Sequence, residues 1–237
     1  WTAYGALAAG VALTVGALSS LVLPGRLRAS GLTPAIIGVS LGLFGLLSGT
    51  LGIQPERISA LLAALLLLAC LSIPWLAMAS TPVRVTGPSA AAQIDPRQID
   101  KSVSMGVSMS VSIRLGTCLA LVILTPILCS TSQGIALSAL IGAALMLSTR
   151  SIRSRVEVLI GVLSGMAVLA WAAYAAALQS ATSLLLVLVT SLTGSLLVLA
   201  TNVVTPKTRP WLSRTADTIS TLVIIAVPPF ALYMWGM

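Results

Sequence analysis

The stretch KSVSMGVSMSVSIR, residues 101–114, alternates apolar residues with serine or glycine at a period of two. That period ordinarily argues for a strand. A strand needs a partner, however, and no other segment of the chain alternates in this way. A lone open edge beside a membrane is unfavourable. Immediately upstream stands Asp95-Pro96-Arg97-Gln98. Asp is a good N-cap, Pro suits the first helical position, and Gln three residues after the cap completes a pattern like a capping box. Ile99, Val103, Gly106 and Val107 then keep helical spacing. The stretch therefore predicts a helix from Pro96 to about Met109, bending or running into a membrane span that starts near Ile113.

The rest of the chain is suited to a membrane. Of 237 residues only 8% are charged, and mean hydropathy is +1.07. Apolar runs near twenty residues recur along almost its whole length, the pattern of a bilayer-embedded protein. Lipid cannot satisfy free backbone groups, so spans must be helices or closed barrels. A barrel would show repeated alternating blocks of about ten residues, and only the opening stretch alternates. The expected fold class is all-α, a polytopic helical membrane protein. About eight transmembrane helices are expected, at residues 2–23, 34–53, 58–79, 113–130, 134–149, 156–178, 183–204 and 218–235. Residues 80–112, with Pro82, Gly87, Pro88 and Asp95-Pro96, form a linker carrying the short helix. The expected organisation is thus three spans in 1–79, the linker, and five spans in 113–237.

The 13 basic residues divide unevenly between alternate loops. One set holds Arg26, Arg28, Arg84, Arg97, Lys101, Arg114, Arg150, Arg153, Arg155, Lys207, Arg209 and Arg214; the other holds Arg57 alone. Lys and Arg accumulate in cytoplasmic loops. The first set, and the linker with it, is expected in the cytoplasm, and Met237 on the outer side. The net charge of +8 is accordingly a topology signal. Without a basic stripe interleaved with aromatics it does not argue for nucleic acid as a partner. The same count places Trp1 outside. The chain begins without an initiator methionine or a signal sequence and reads as part of a longer protein, with an odd number of spans before it if the native N-terminus is cytoplasmic.

Residues able to carry chemistry are scarce. Histidine is absent, which removes the commonest general base and metal ligand. The acids are Glu56, Asp95, Asp100, Glu157 and Asp217, all expected at interfaces or in the linker. Ion-coupled transporters place ionisable residues at membrane depth, and none is evident. Cys70, Cys118 and Cys129 sit singly in apolar segments and suggest neither a disulfide framework nor a metal site. No catalytic residue, metal or cofactor is expected.

Small-residue stripes are the more specific signal. Gly38, Gly42, Gly45, Gly49 and Gly52 recur at steps of four and three, Gly161 and Gly165 form a second pair, and Gly5, Ala9, Ala12 and Gly16 share the rhythm. Such stripes let helix backbones approach closely. They are expected to pack helices together, within the chain or between copies.

Several segments together resemble a known family. They are IPWLAMA closing a span at 73–79, the Pro-rich linker with its capped helix, TRSIRSRVEVLIGVLSGMAVLAW at 149–171, and SRTADTISTLVIIAVPPFALYMWGM at 213–237. This arrangement resembles EccD, the multi-spanning membrane subunit of the mycobacterial type VII (ESX) secretion system. The resemblance implies eleven spans behind a cytoplasmic ubiquitin-like domain, of which this chain would hold the last eight; the three missing spans are the odd number that the charge count requires. It implies a non-enzymatic structural role in the bacterial inner membrane. The expected partners are a second EccD copy, EccB, the ATPase EccC, EccE and membrane lipids. Asp95, Pro96, Arg97, Gln98, Asp100 and Lys101 of the linker are expected to dock on neighbouring subunits. Ser220 departs from the pattern, standing where many relatives would carry a second acid, so the resemblance does not extend to an interfacial contact there. The competing expectation from a different class is a secondary transporter of a small apolar or amphipathic solute.

Overall fold

The computed structural model describes residues 3–19, 30–80, 96–149, 154–179, 185, 187–188 and 209–235. Within them the chain forms seven helices: α1 Ala3–Ser19, α2 Leu32–Thr50, α3 Pro55–Ser80, α4 Pro96–Leu128, α5 Ser132–Ser148, α6 Arg155–Gln179 and α7 Arg209–Tyr233. No strand occurs among the described residues. Leu32–Thr50, Pro55–Ile73, Gly106–Leu128 and Arg155–Gln179 are long and apolar enough to cross a bilayer. Tyr4–Leu18, Ser132–Ser148 and Thr218–Tyr233 are shorter apolar helices. These seven helices overlap seven of the eight stretches expected to span, and four of them are long and apolar enough to do so. The eighth, 183–204, lies outside the described residues apart from Leu185, Val187 and Leu188.

The alternating stretch is helical throughout. It belongs to the 33-residue α4, which begins at Pro96 and continues without a break into the membrane span. At 1.5 Å per residue α4 is about 50 Å long. It thus exceeds a bilayer core of about 30 Å. The alternation does not give it a clean apolar face. Val107 and Met109 are exposed, while Ser110 is partly buried.

Helix α4 is the hub. It packs on α2, α3, α5 and α6, while α1 rests mainly on α2, and α7 on α3 and α5. The main core lies between α3 and α4, where Ile58, Leu67, Ile73, Leu121, Leu124 and Leu128 are fully buried. Helix α5 is apolar on every side and is buried on every side, from Gly134 to Leu147. That is the expected fate of a helix without a polar face. The outward faces of α1, α6 and α7 carry Val11, Val15, Leu159, Leu163, Leu222 and Ile225. In water such a surface would aggregate; in lipid it is solvated.

Tight turns depend on two glycines. Gly52 ends the α2–α3 turn with φ +61, where a Cβ is strained. Gly134 lies in the first turn of α5, whose N-cap Thr131 accepts a hydrogen bond from the Gly134 amide at 3.1 Å. A Cβ on Gly134 would collide with the Leu128 carbonyl. Gly134→Ala is therefore expected to lower the thermal transition of the purified protein by more than Thr131→Ala, whose lost cap costs about 1 kcal/mol.

Two sets of contacts define the ends of the bundle. At one end the Trp235 indole donates to the Arg57 carbonyl at 3.0 Å, Ser130 to Glu56 at 3.3 Å, and Gln179 to the Cys129 carbonyl at 3.1 Å. This end joins the α2–α3 turn, the α4–α5 turn and the C-termini of α6 and α7. Since α6 and α7 both finish here, they run parallel. The opposite end carries the start of α2, the end of α5 and the start of α6. Thr33 there donates to the Ser112 carbonyl at 2.9 Å.

Candidate functional site: a buried arginine among three helices

At the second end of the bundle, Arg114 of α4 is enclosed by α5 and α6. It is 2% exposed and lies two turns inside the span that starts at Gly106, about 12 Å along the helix. Its Nη2 donates to Ser148 Oγ, near the C-terminus of α5, at 3.2 Å. Its buried Nε meets no acceptor. One turn back on the same face of α4, Ser110 donates to Glu157 Oε1 at 2.9 Å. Glu157, in the first turn of α6, is 9% exposed. Among the described residues, each of these two charges is met by a serine rather than by the other. Each also suits the helix end beside it, because the C-terminus of a helix favours a cation and the N-terminus an anion.

Arg114 corrects the reading of the cations and of membrane depth. It belongs to no loop, because α4 does not break where the span was expected to begin. The sequence signal was its position, inside an uninterrupted helix that starts far upstream at Pro96. Glu157 is likewise buried rather than standing at an open interface.

The glycines make room for this arrangement. A Cβ on Gly161 would sit 2.5 Å from Thr149 Cγ2 and 3.1 Å from Arg114 Nη2. One turn on, a Cβ on Gly165 would sit 2.7 Å from Met146 Cγ and 3.0 Å from the Gly142 carbonyl. Gly142 of α5, which was not singled out in sequence, is thus the partner of Gly165. In α2, a Cβ on Gly38 would lie 2.8 Å from the Thr14 amide nitrogen and 2.9 Å from the Gly10 carbonyl. Gly42 lies against Gly10, and Gly45 is buried. Gly49 is exposed, and Gly52 has open space around it. The inward face of α1 is Ala6, Gly10 and Ala17 rather than the stripe singled out in sequence. Gly5, Ala12 and Gly16 face outward, and Ala9 is partly buried.

The remaining candidates are quickly placed. Pro96, Arg97, Gln98, Asp100 and Lys101 lie on the first turns of α4, and Asp95 lies outside the described residues. Cys70, Cys118 and Cys129 are buried free thiols. No cluster of three His, Cys, Asp or Glu occurs among the described residues. A cavity of about 240 Å³ opens between α1, α2 and α4, lined by Ala6, Leu41, Phe44, Ile123, Pro126 and Ile127. It offers apolar surface and no group for chemistry.

The comparisons with known proteins accord with this architecture. No curated protein matches the sequence. Among solved structures, one described as "Structure of protomer 1 of the ESX-3 core complex" is similar, with a TM-score of 0.68 and 14% identity. The likeness covers 95% of this chain and 55% of that one, so the chain spans about half the length of its structural neighbour. At that identity the likeness is one of fold. The sequence family described as the EccD-like transmembrane domain matches residues 2–237. Extending over nearly every residue of a helical bundle with the same fold as a protomer of the ESX-3 core complex, that match makes this chain a member of the EccD family.

Proposed function

We propose that this chain is the membrane-embedded part of a structural subunit in the core complex of a type VII secretion system. The observation that carries the reading is the family match across residues 2–237. The fold shared with an ESX-3 core complex protomer supports it. In this role the bundle does no chemistry of its own. It pairs with a second copy and holds EccB, EccE and the ATPase EccC, which supplies the energy.

Its orientation follows from charge. The end of the bundle bearing the α5–α6 connection, with Arg150, Arg153 and Arg155, faces the cytoplasm, and the end bearing Arg57 faces outward. The part of α4 before Gly106 then projects about 15 Å beyond the span into the cytoplasm. A short helical segment outside the bilayer draws most of its stability from contacts with neighbours. In this proposal Pro96, Arg97, Gln98, Asp100 and Lys101 make those contacts, on the membrane-proximal part of EccC or on EccB.

Gentle detergent extraction followed by mass analysis tests this reading. The chain is expected to travel in a large assembly that contains an ATPase. Asp95→Ala with Gln98→Gly, which weakens the start of α4 by about 1–2 kcal/mol, is expected to lower ATPase recovery while the spans still insert. A lone monomer or dimer that binds a small solute would overturn the proposal in favour of transport.

A further inference from the structure

Arg114 and Glu157 are the only charged side chains buried among the described residues. They are opposite in sign, and they lie on facing helices one turn out of register: Ser110 faces Glu157, while Arg114 faces Gly161. An isolated buried charge is strongly disfavoured, and in lipid there is little water to relieve it. Two serine hydroxyls are weak compensation. The arginine fork has five donors, and its buried Nε has no acceptor. The Arg114 guanidinium stands beside Gly161, about one turn along α6 from Glu157. Gly161 leaves room for the guanidinium, since any Cβ there would press on it.

We infer that Arg114 and Glu157 are mutual counter-ions, forming a latch that ties α4 to the α5–α6 hairpin. Arg114 donates to Ser148 on α5, and the Glu157 charge on α6 is its electrostatic counterpart without a direct hydrogen bond. Because α4 is one continuous helix, fixing it at this level also fixes the segment that projects beyond the span. A force applied to that segment would pass to the hairpin at this point, ahead of the apolar core.

A double-mutant cycle on the full chain in lipid nanodiscs tests the latch, using Arg114→Met, Glu157→Met and the two combined. Each single change is expected to lower the thermal midpoint and to speed amide exchange in residues 106–114 and 155–161. The double variant, with neither charge left unpaired, is expected to recover most of the midpoint. Losses that simply add in the double variant would overturn the inference. So would single variants that leave exchange at 106–114 unchanged. If both single variants fail to fold, folding of the double variant supports the latch and its failure to fold overturns it.

Discussion

Arg114→Met is expected to destabilise the protein by about 3–5 kcal/mol, the usual cost of leaving the partner of a buried charge uncompensated. Methionine fills much of the same volume, so a cavity contributes little to this loss. What remains is the buried Glu157 carboxylate with Ser110 as its donor. Arg155→Met is the matched control. Arg155 is an exposed residue at the start of α6, and its replacement is expected to change stability by no more than about 0.5 kcal/mol. The measurement is the thermal or denaturant transition of each purified variant in one detergent. Equal transitions for the two variants would remove Arg114 from its place as the organising polar residue of the bundle.

Gly10→Leu is the second large effect. A Cβ on Gly10 would sit 2.6 Å from Gly42 Cα and 2.7 Å from the Gly38 carbonyl. These are backbone atoms and cannot rotate away, so α1 and α2 must separate. Overpacking a core costs about 1–3 kcal/mol, and a clash between backbones lies at or above the upper end of that range. Helix α1 rests mainly on α2, so little else holds it once this contact opens. Gly16→Leu introduces the same side chain on the same helix, but among the described residues no atom lies within 4 Å of its Cβ. Limited proteolysis of membrane vesicles should cut between α1 and α2 faster in the Gly10 variant and at the native rate in the Gly16 variant. Equal rates would mean that the two helices do not meet at these glycines.

These two residues also mark where reading the sequence stopped. Hydropathy located the spans, because about twenty apolar residues in a row leave the backbone few alternatives to a helix. The cap at Asp95-Pro96 located the start of α4 despite the alternating residues that follow. The close approach at Gly38 and Gly42 was legible because α2 has its glycines on one stripe. In α1 the small residues cover two faces. Gly5, Ala9, Ala12 and Gly16 compete with Ala6, Gly10, Thr14 and Ala17, and nothing local decides which face turns inward. The neighbour decides, since Gly10 is the residue that fits the gap left by Gly38 and Gly42. Arg114 was obscured for a related reason. A cation near the expected edge of a span looks like a loop marker, and its burial depends on Ser148, Glu157 and Gly161, which lie more than thirty residues away. Gly52 shares the spacing of the stripe but serves the turn, a distinction that lies in φ and not in periodicity.

The central claim is that this bundle stands in the membrane with its basic end in the cytoplasm. Cysteine accessibility in intact cells tests it most directly, using Ser154→Cys at the α5–α6 connection and Gln54→Cys at the α2–α3 turn. The three native cysteines are buried and supply little background. A membrane-impermeant maleimide is expected to label Gln54→Cys in intact cells and Ser154→Cys only after lysis. Labelling of Ser154→Cys in intact cells, with Gln54→Cys protected, would contradict the account.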